Sequence, residues 1–303
     1  MKKILLVSYS QTGQLTRLAQ SFISPLQNRA DILLEHLPLK PQQDYPFPWS
    51  FQRFFNTFPE TVHLQPEPLV EFALAQEQYD LVVIAYSVWF LSPSQPITAF
   101  LQSEQAKKIL KNTPVITLIG CRNMWLQAQE KMKKLLADCQ ANLIGNVVKV
   151  DQCNDWASFI TTPLWMLTGK KQAVNWLPTA GIAEEDIADM QRFGKQLLQF
   201  FEQNRPLDRT LFQGMGAVKI DEKLMMSEKV GARSFHIWGK ILIKSGRFFP
   251  SFRTIMLYVY VVFLIAMILT VVPISALLKR LLKPLIQHKL NEQKRYFAEP
   301  SGE

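Results

Sequence analysis

Five apolar runs, at 3–8, 31–37, 80–86, 114–120 and 143–150, alternate with stretches whose apolar residues recur at helical spacing. This alternation constrains the fold more than any other property of the chain. A run such as Leu81-Val-Val-Ile-Ala85 has no polar side to turn towards water, so it reads as a strand buried on both faces. Helices are expected at about 14–25, 67–77, 95–103, 123–139 and 184–204. In 123–139 the apolar positions are Met124, Leu126, Ala128, Met132, Leu135 and Leu136, with lysines between them. Parallel strands need a crossover between them, and a helix is the usual one. Residues 1–204 are therefore expected to form an α/β domain, a parallel sheet wrapped on both faces by helices. With 303 residues the chain is long enough for such a domain and an extension.

Two connections are longer than crossovers require. Residues 38–66 carry Tyr45-Pro-Phe-Pro-Trp-Ser-Phe51 and then Phe54, Phe55 and Phe58, and residues 152–181 carry Trp156, Phe159, Trp165 and Trp176. Long connections in a compact α/β domain are often functional. Two roles stand open for these aromatics: walls of an apolar pocket, or a small core covering a sheet edge.

The first strand empties into Ser8-Tyr-Ser-Gln-Thr-Gly-Gln-Leu-Thr16, a loop with four hydroxyl side chains besides that of Tyr9, and one glycine. A plain turn needs no such concentration of donors. A phosphate does, because free N–H groups and the positive end of the next helix favour an anion there. Ser10, Thr12, Gly13 and Gln14 are placed to wrap phosphate oxygens, with Thr16 near the helix start. Neither GxGxxG nor GxxxxGK[ST] occurs, so a pyrophosphate or a triphosphate lacks its usual cradle. A phosphate monoester held by neutral donors remains.

At this point the chain resembles the flavodoxin-like superfamily, whose FMN loop typically reads Tyr-Ser-x-Thr-Gly-Asn-Thr. Here Tyr9-Ser10-Gln11-Thr12-Gly13-Gln14-Leu15 stands in its place, with Leu15 where the family has a hydroxyl. After the third strand, the run from Ala85 to Leu101 with Val88-Trp-Phe-Leu-Ser92 resembles the family's ring-bordering loop. Gly120-Cys-Arg-Asn-Met-Trp125 stands where the family has a second such loop. The resemblance implies a doubly wound five-stranded sheet of order 2-1-3-4-5, whose switch-point crevice lies outside the carboxyl ends of strands one, three and four. It implies FMN as cofactor, bound by Ser10, Gln11, Thr12, Gly13, Gln14 and Thr16 at the phosphate, and by Ser87, Val88, Trp89, Phe90, Cys121, Arg122 and Asn123 around the ring. Trp89 or Phe90 would lie against the ring, with backbone N–H groups of 87–91 and 121–124 at its polar edge. Arg122 or Asn123 would stabilise negative charge, so Arg122 and Cys121 are the catalytic candidates. Residues 1–204 also resemble the dialkylresorcinol condensing enzyme family of aryl polyene and dialkylresorcinol clusters. The shared features are the phosphate loop, YPFPWSF, VWFLSPS, CRNMW and TTPLWMLTGKK. Carbon–carbon condensation usually needs an activated cysteine with histidine partners. The four histidines are scattered, and only His36 ends a strand near the crevice, so redox chemistry on a lipophilic aromatic, quinone-like or cyclohexanedione-type substrate fits better.

The formal charge of +9 would suggest nucleic acid if it were spread over the chain. It is not. Residues 233–303 hold 11 Lys/Arg against 3 Asp/Glu, and residues 1–232 hold 23 against 22. A nucleic-acid partner is disfavoured. From Ile255 to Leu278 run 24 residues without a charge, about 36 Å of helix against a hydrocarbon core of about 30 Å. Arg247 and Arg253 precede them, and Lys279, Arg280 and Lys283 follow. The chain is thus expected to divide into a domain (1–204), a basic juxtamembrane linker (205–254), a membrane helix (255–278) and a basic tail (279–303). A re-entrant or in-plane helix is the alternative, with Pro273 as its kink. The apolar run after Lys2 and Lys3 is too short for a signal-peptide core, so the domain is expected on the cytoplasmic face of the inner membrane. Cys121, Cys139 and Cys153 form no CxxC pair, and no metal site is expected. The expected partners are a lipophilic small molecule, the membrane, and NAD(P)H or a protein that exchanges electrons. A flavodoxin-type electron carrier and a flavin-free scaffold of a biosynthetic complex are the competing functions.

Overall fold

The computed structural model describes residues 1–172 and 174–302. The side chains of 155, 156, 248, 250, 271–273 and 275–286 lie outside the described residues, and with them the expectations placed on Trp156, Pro273, Lys279, Arg280 and Lys283.

Strands β1 (Lys2–Ser8), β2 (Ile32–Pro38), β3 (Leu81–Trp89), β5 (Pro114–Cys121) and β6 (Asn142–Val150) are parallel in the order β2-β1-β3-β5-β6. Counting only these five, the order is 2-1-3-4-5. The chain has a flavodoxin-like α/β fold. A two-residue strand β4 (Ser92–Pro93) pairs antiparallel with the end of β3. The unbroken apolar runs have a simple cause in β1. Ile4 and Leu6 face one side, under α1 (Gln14–Ile23) and α7 (Glu184–Glu202), while Leu5 and Val7 face α3 (Gln95–Gln102), α4 (Glu104–Leu110) and α5 (Leu126–Asp138). Both faces are covered, so neither carries polar residues.

Four stretches differ from the expectation. Residues 67–77 form no helix: Gln42 N–H donates to the Pro68 carbonyl and Val70 N–H to the Lys40 carbonyl, so the segment runs extended against 40–42. Pro66 and Pro68 bring no N–H of their own to a helix there. The first aromatic connection contains a helix, α2 (Phe51–Val62), whose N-terminus is capped by the Ser50 hydroxyl accepting from Arg53 N–H at 3.2 Å. The second contains α6 (Asp155–Thr168), capped likewise by the Asn154 side chain. Residues 205–254 are no spacer. Leu211, Phe212 and Ala217 complete one core face, and α8 (Glu222–Phe248) reaches the other through Met225.

The expected 255–278 helix belongs to a longer one, α9 (Pro250–Ala298). Its first turns lie on the domain, because Phe58 of α2, Leu242 of α8, and Leu257 and Tyr260 form a third apolar cluster in which Phe58 and Tyr260 stack at 4.6 Å. Within α9, Ser251–Thr270 has a mean hydropathy of 2.3 and is 17% buried, so among the described residues one helix is long and apolar enough to cross a membrane.

Candidate functional site

The carboxyl ends of β1, β3 and β5 meet at one crevice, as the strand order requires. The loop after β1 holds the phosphate-type residues. Gly13 adopts φ +80° and initiates α1, and a Cβ built on it meets nothing within 4 Å. Only glycine takes this conformation without strain. The Ser10 hydroxyl is buried and has no hydrogen-bond partner among the described residues. An unpaired buried hydroxyl costs free energy unless a ligand satisfies it. Thr12 is exposed and Thr16 half-buried at the same helix end. An uncharged donor set, an open helix N-terminus and an orphaned hydroxyl suit the phosphate of a mononucleotide such as FMN.

Two expected phosphate ligands do something else. Gln14 turns away and exchanges hydrogen bonds with the backbone of Ile182, its amide donating at 3.3 Å and its oxygen accepting at 3.4 Å. Gly181 permits this: with φ +101° it leaves room that a Cβ, only 2.7 Å from Gln14 Oε1, would take. Gln11 donates to the carbonyls of Tyr45 (3.3 Å) and Pro46 (2.7 Å) and accepts from Trp49 Nε1 at 3.0 Å. It ties the phosphate loop to the first aromatic connection.

That connection closes over the ring side. Trp89 is ringed by Tyr9 (5.9 Å between centroids), Tyr45 (4.9 Å) and Trp49 (5.5 Å), all edge-on. Tyr45 and Trp49 are 5% and 4% exposed, while Trp89 is half-buried. Burial pushes the phenols of Tyr9 and Tyr45 upwards, so both stay protonated, and Tyr45 donates to Gln95 Oε1 at 2.6 Å. Arg53 lies over the Tyr45 ring and pairs with Glu67 at 2.7 Å. Phe90 does not share this position. The chain reverses at Phe90 and Leu91 (φ 49° and 57°) in a β3–β4 hairpin, and the Phe90 ring packs on Phe54 and Phe58. Of the two expected ring partners, only Trp89 faces the phosphate-loop side. The backbone from Ser87 to Trp89, Val88 included, is engaged in the hairpin, where Ser94 N–H donates to the Ser87 carbonyl.

The loop after β5 is held by the second aromatic connection. Arg122 donates through Nε to Ser158 of α6 at 2.8 Å, and its guanidinium lies 4.1 Å from the Phe159 ring. Asn123 is half-buried beside it, and Trp125 is core, 2% exposed. Burial, reinforced by the carboxylates of Glu228 and Asp151, pushes the Cys121 thiol well above its ordinary value, so it rests as the thiol. Asp151 staples the insertion at the end of β6, accepting from Cys153 N–H at 2.8 Å and Gly181 N–H at 2.9 Å. The two insertions also meet each other: Trp49 N–H donates to the Met166 carbonyl at 2.7 Å, and Phe47 packs on Trp165. They form one roof over the crevice. Sequence reasoning flagged both insertions but not Tyr9, Tyr45, Trp49 and Asp151 individually; the density of aromatics in 45–58 was the available signal.

Glu228 is a further feature without a sequence signal. It reaches from α8 to the start of α5, where it accepts from Gln127 N–H at 2.6 Å, and burial raises its carboxyl to about 7.

Neither a protein-family model nor a curated protein matches the sequence. Among solved structures, the chain is similar to a flavoprotein from Lactobacillus acidophilus in complex with FMN. Identity is 18% over 49% of this chain and 93% of that one, with a TM-score of 0.40. A flavodoxin from the domain Archaea shares 7% identity over 67% of this chain and 99% of its own, at a TM-score of 0.36. Flavodoxin 1 from Bacillus cereus shares 11% over 65% and 98%, at 0.35.

Proposed function

We propose that this chain is an FMN-dependent oxidoreductase held at a membrane. Its substrate would be a lipophilic aromatic, quinone-like or cyclohexanedione-type molecule of dialkylresorcinol or aryl polyene-type lipid biosynthesis. The single observation that carries the cofactor is the buried, unpartnered Ser10 hydroxyl beside the open left-handed Gly13, at the start of α1 on the switch-point crevice. Bound there, FMN supplies two-electron chemistry, with NAD(P)H or a protein partner closing the electron balance.

The chain's own residues would act around it. Ser10 and Thr12 hydroxyls and the N-terminal N–H groups of α1 hold the phosphate. Trp89, Tyr9, Tyr45 and Trp49 exclude water from the ring side and offer apolar walls to a greasy substrate. Arg122, fixed by Ser158 and Phe159, keeps a cation at the end of β5 where reduced flavin would gain negative charge. The uncharged stretch of α9 and the basic flanks attach the domain to lipid, on the cytoplasmic face of the inner membrane. Titrating the purified protein with FMN tests this reading. Saturable binding with a shifted flavin spectrum supports it, and its absence removes the redox function.

A flavin-free scaffold is favoured by a different observation: Tyr45 and Trp49 are already buried against Trp89, and Gln14 is committed to Ile182. A colourless protein that copurifies with a partner enzyme and ignores added FMN would establish that second reading.

A further inference from the structure

From Ile255 to Leu269 α9 is apolar all round, and its two sides are not equivalent. Leu257, Tyr260 and Val261 are buried against the domain. Ile255, Tyr258, Val259, Val262, Ile265 and Leu269 fall on the opposite side at helical spacing, and all are exposed, Val262 at 68% and Leu269 at 71%. The turns packed on the domain through Leu257 and Tyr260 are held to the domain's side of a bilayer.

The far end of α9 returns to the same domain. Tyr296 donates to Glu130 of α5 at 2.7 Å, Lys294 pairs with Glu222 at 3.6 Å, and Asn146 N–H of β6 donates to the Ser301 hydroxyl at 2.6 Å. A spacing argument sharpens this. Trp238 and Glu222 are 16 residues apart on α8, about 24 Å, whereas their partners Tyr260 and Lys294 are 34 residues apart on α9, about 51 Å if straight. The stretch of chain between the docked turns and Lys294 is therefore longer than the separation of its two anchoring points on α8.

We infer that the protein is monotopic: α9 enters one leaflet of an anionic bilayer through the exposed ridge 255–269, and both its flanks stay on the domain's side. Lipid is the occupant that the charge favours. Residues 233–303 carry 11 Lys/Arg against 3 Asp/Glu, while the ridge carries no charge. An open depression of about 450 Å³ lined by Arg247, Arg253 and Thr254 sits at the α8–α9 elbow; Arg253 is paired with Glu60, and the exposed Arg247 is the cation placed to meet headgroups there. This inference rests on the membrane attachment proposed above and replaces a single crossing with a re-entrant one.

The test uses full-length protein in sealed native membrane vesicles and a membrane-impermeant maleimide. Two variants report the two regions: Glu104→Cys on the domain, whose side chain is 88% exposed, and His288→Cys after the apolar segment, 90% exposed. Labelling of the unmodified chain's three cysteines is subtracted. Both positions are expected to react in the same vesicle orientation, to the same extent within twofold. If His288→Cys reacts only where Glu104→Cys is protected, the helix crosses the bilayer and the inference fails while membrane attachment stands. If the protein is recovered in the soluble fraction, as a monomer or as a dimer sealed through the ridge, both fail together.

Discussion

Ser10 and Glu228 are two buried polar groups with opposite fates. Ser10 has no partner among the described residues, so removing its hydroxyl takes no described contact from the apo fold and one donor from a bound phosphate. Ser10→Ala is expected to leave the melting temperature unchanged or slightly raised. It should weaken FMN binding by about 1.5–3 kcal/mol, the scale of a hydrogen bond to a charged group; calorimetric titration beside a melting curve separates the two effects. Glu228 has a partner but is buried, and its carboxyl is raised to about 7 from an ordinary 4.5. The unfolded chain therefore loses this proton at lower pH than the folded one. The contribution to stability is full below about 4.5, falls as pH rises, and is gone above about 7. Glu228→Gln keeps an acceptor for Gln127 N–H and should flatten this fall. The variant is expected to be more stable than the parent at pH 8 by about 2 kcal/mol and equal to it at pH 5, by denaturant unfolding at both values. The position of the Ser10–Gly13 loop ahead of α1 was legible in the sequence because hydroxyls and a glycine are informative at short range. Glu228 was not, because its raised carboxyl depends on α8 folding back across about 100 residues of chain.

The roof is made by elements that meet only in three dimensions. The Trp49 indole holds Gln11 of the phosphate loop, and Trp49 N–H holds Met166 of α6. Trp49→Phe removes the first bond and keeps most of the packing. It is expected to speed FMN dissociation several-fold in stopped-flow fluorescence, with a smaller effect on association, as loss of a closing contact should. Gly181→Ala is expected to force Gln14 from Ile182, because the added methyl meets the amide at 2.7 Å in a left-handed backbone; a loss of about 2 kcal/mol in unfolding free energy would show it. The strands were read correctly because runs such as Leu81–Ala85 leave no polar face. Residues 67–77 were misread because an apolar pattern there competes with Pro66 and Pro68, which prevailed. Helices α2 and α6 were hidden by Pro59 and Pro163 within them, each of which argues locally against a helix that tertiary contacts nevertheless fix.

Across the whole molecule, the basic segment 233–303 is structural as well as peripheral. Leu242, Leu257 and Tyr260 are buried on the domain, so cutting at residue 232 would bare Phe58 and unpair Glu60 from Arg253. Such a truncation is expected to aggregate or melt far below the parent rather than yield a stable soluble domain. The sequence showed that the 255–278 stretch is long and uncharged enough to cross a membrane. It did not show that the stretch also docks on α2, because Phe58 and Tyr260 are 202 residues apart and neither carries a local sign of the other.

All of these scales converge on whether the crevice above β1, β3 and β5 holds a flavin. The most direct measurement is equilibrium titration of the full-length protein, in detergent, with FMN, followed by flavin absorbance and tryptophan quenching and repeated with Ser10→Ala. Saturation at one FMN per chain, quenching of the Trp89 cluster and at least tenfold weaker binding by the variant are expected. A protein that gives no saturable signal would contradict the assignment and leave the fold as a scaffold.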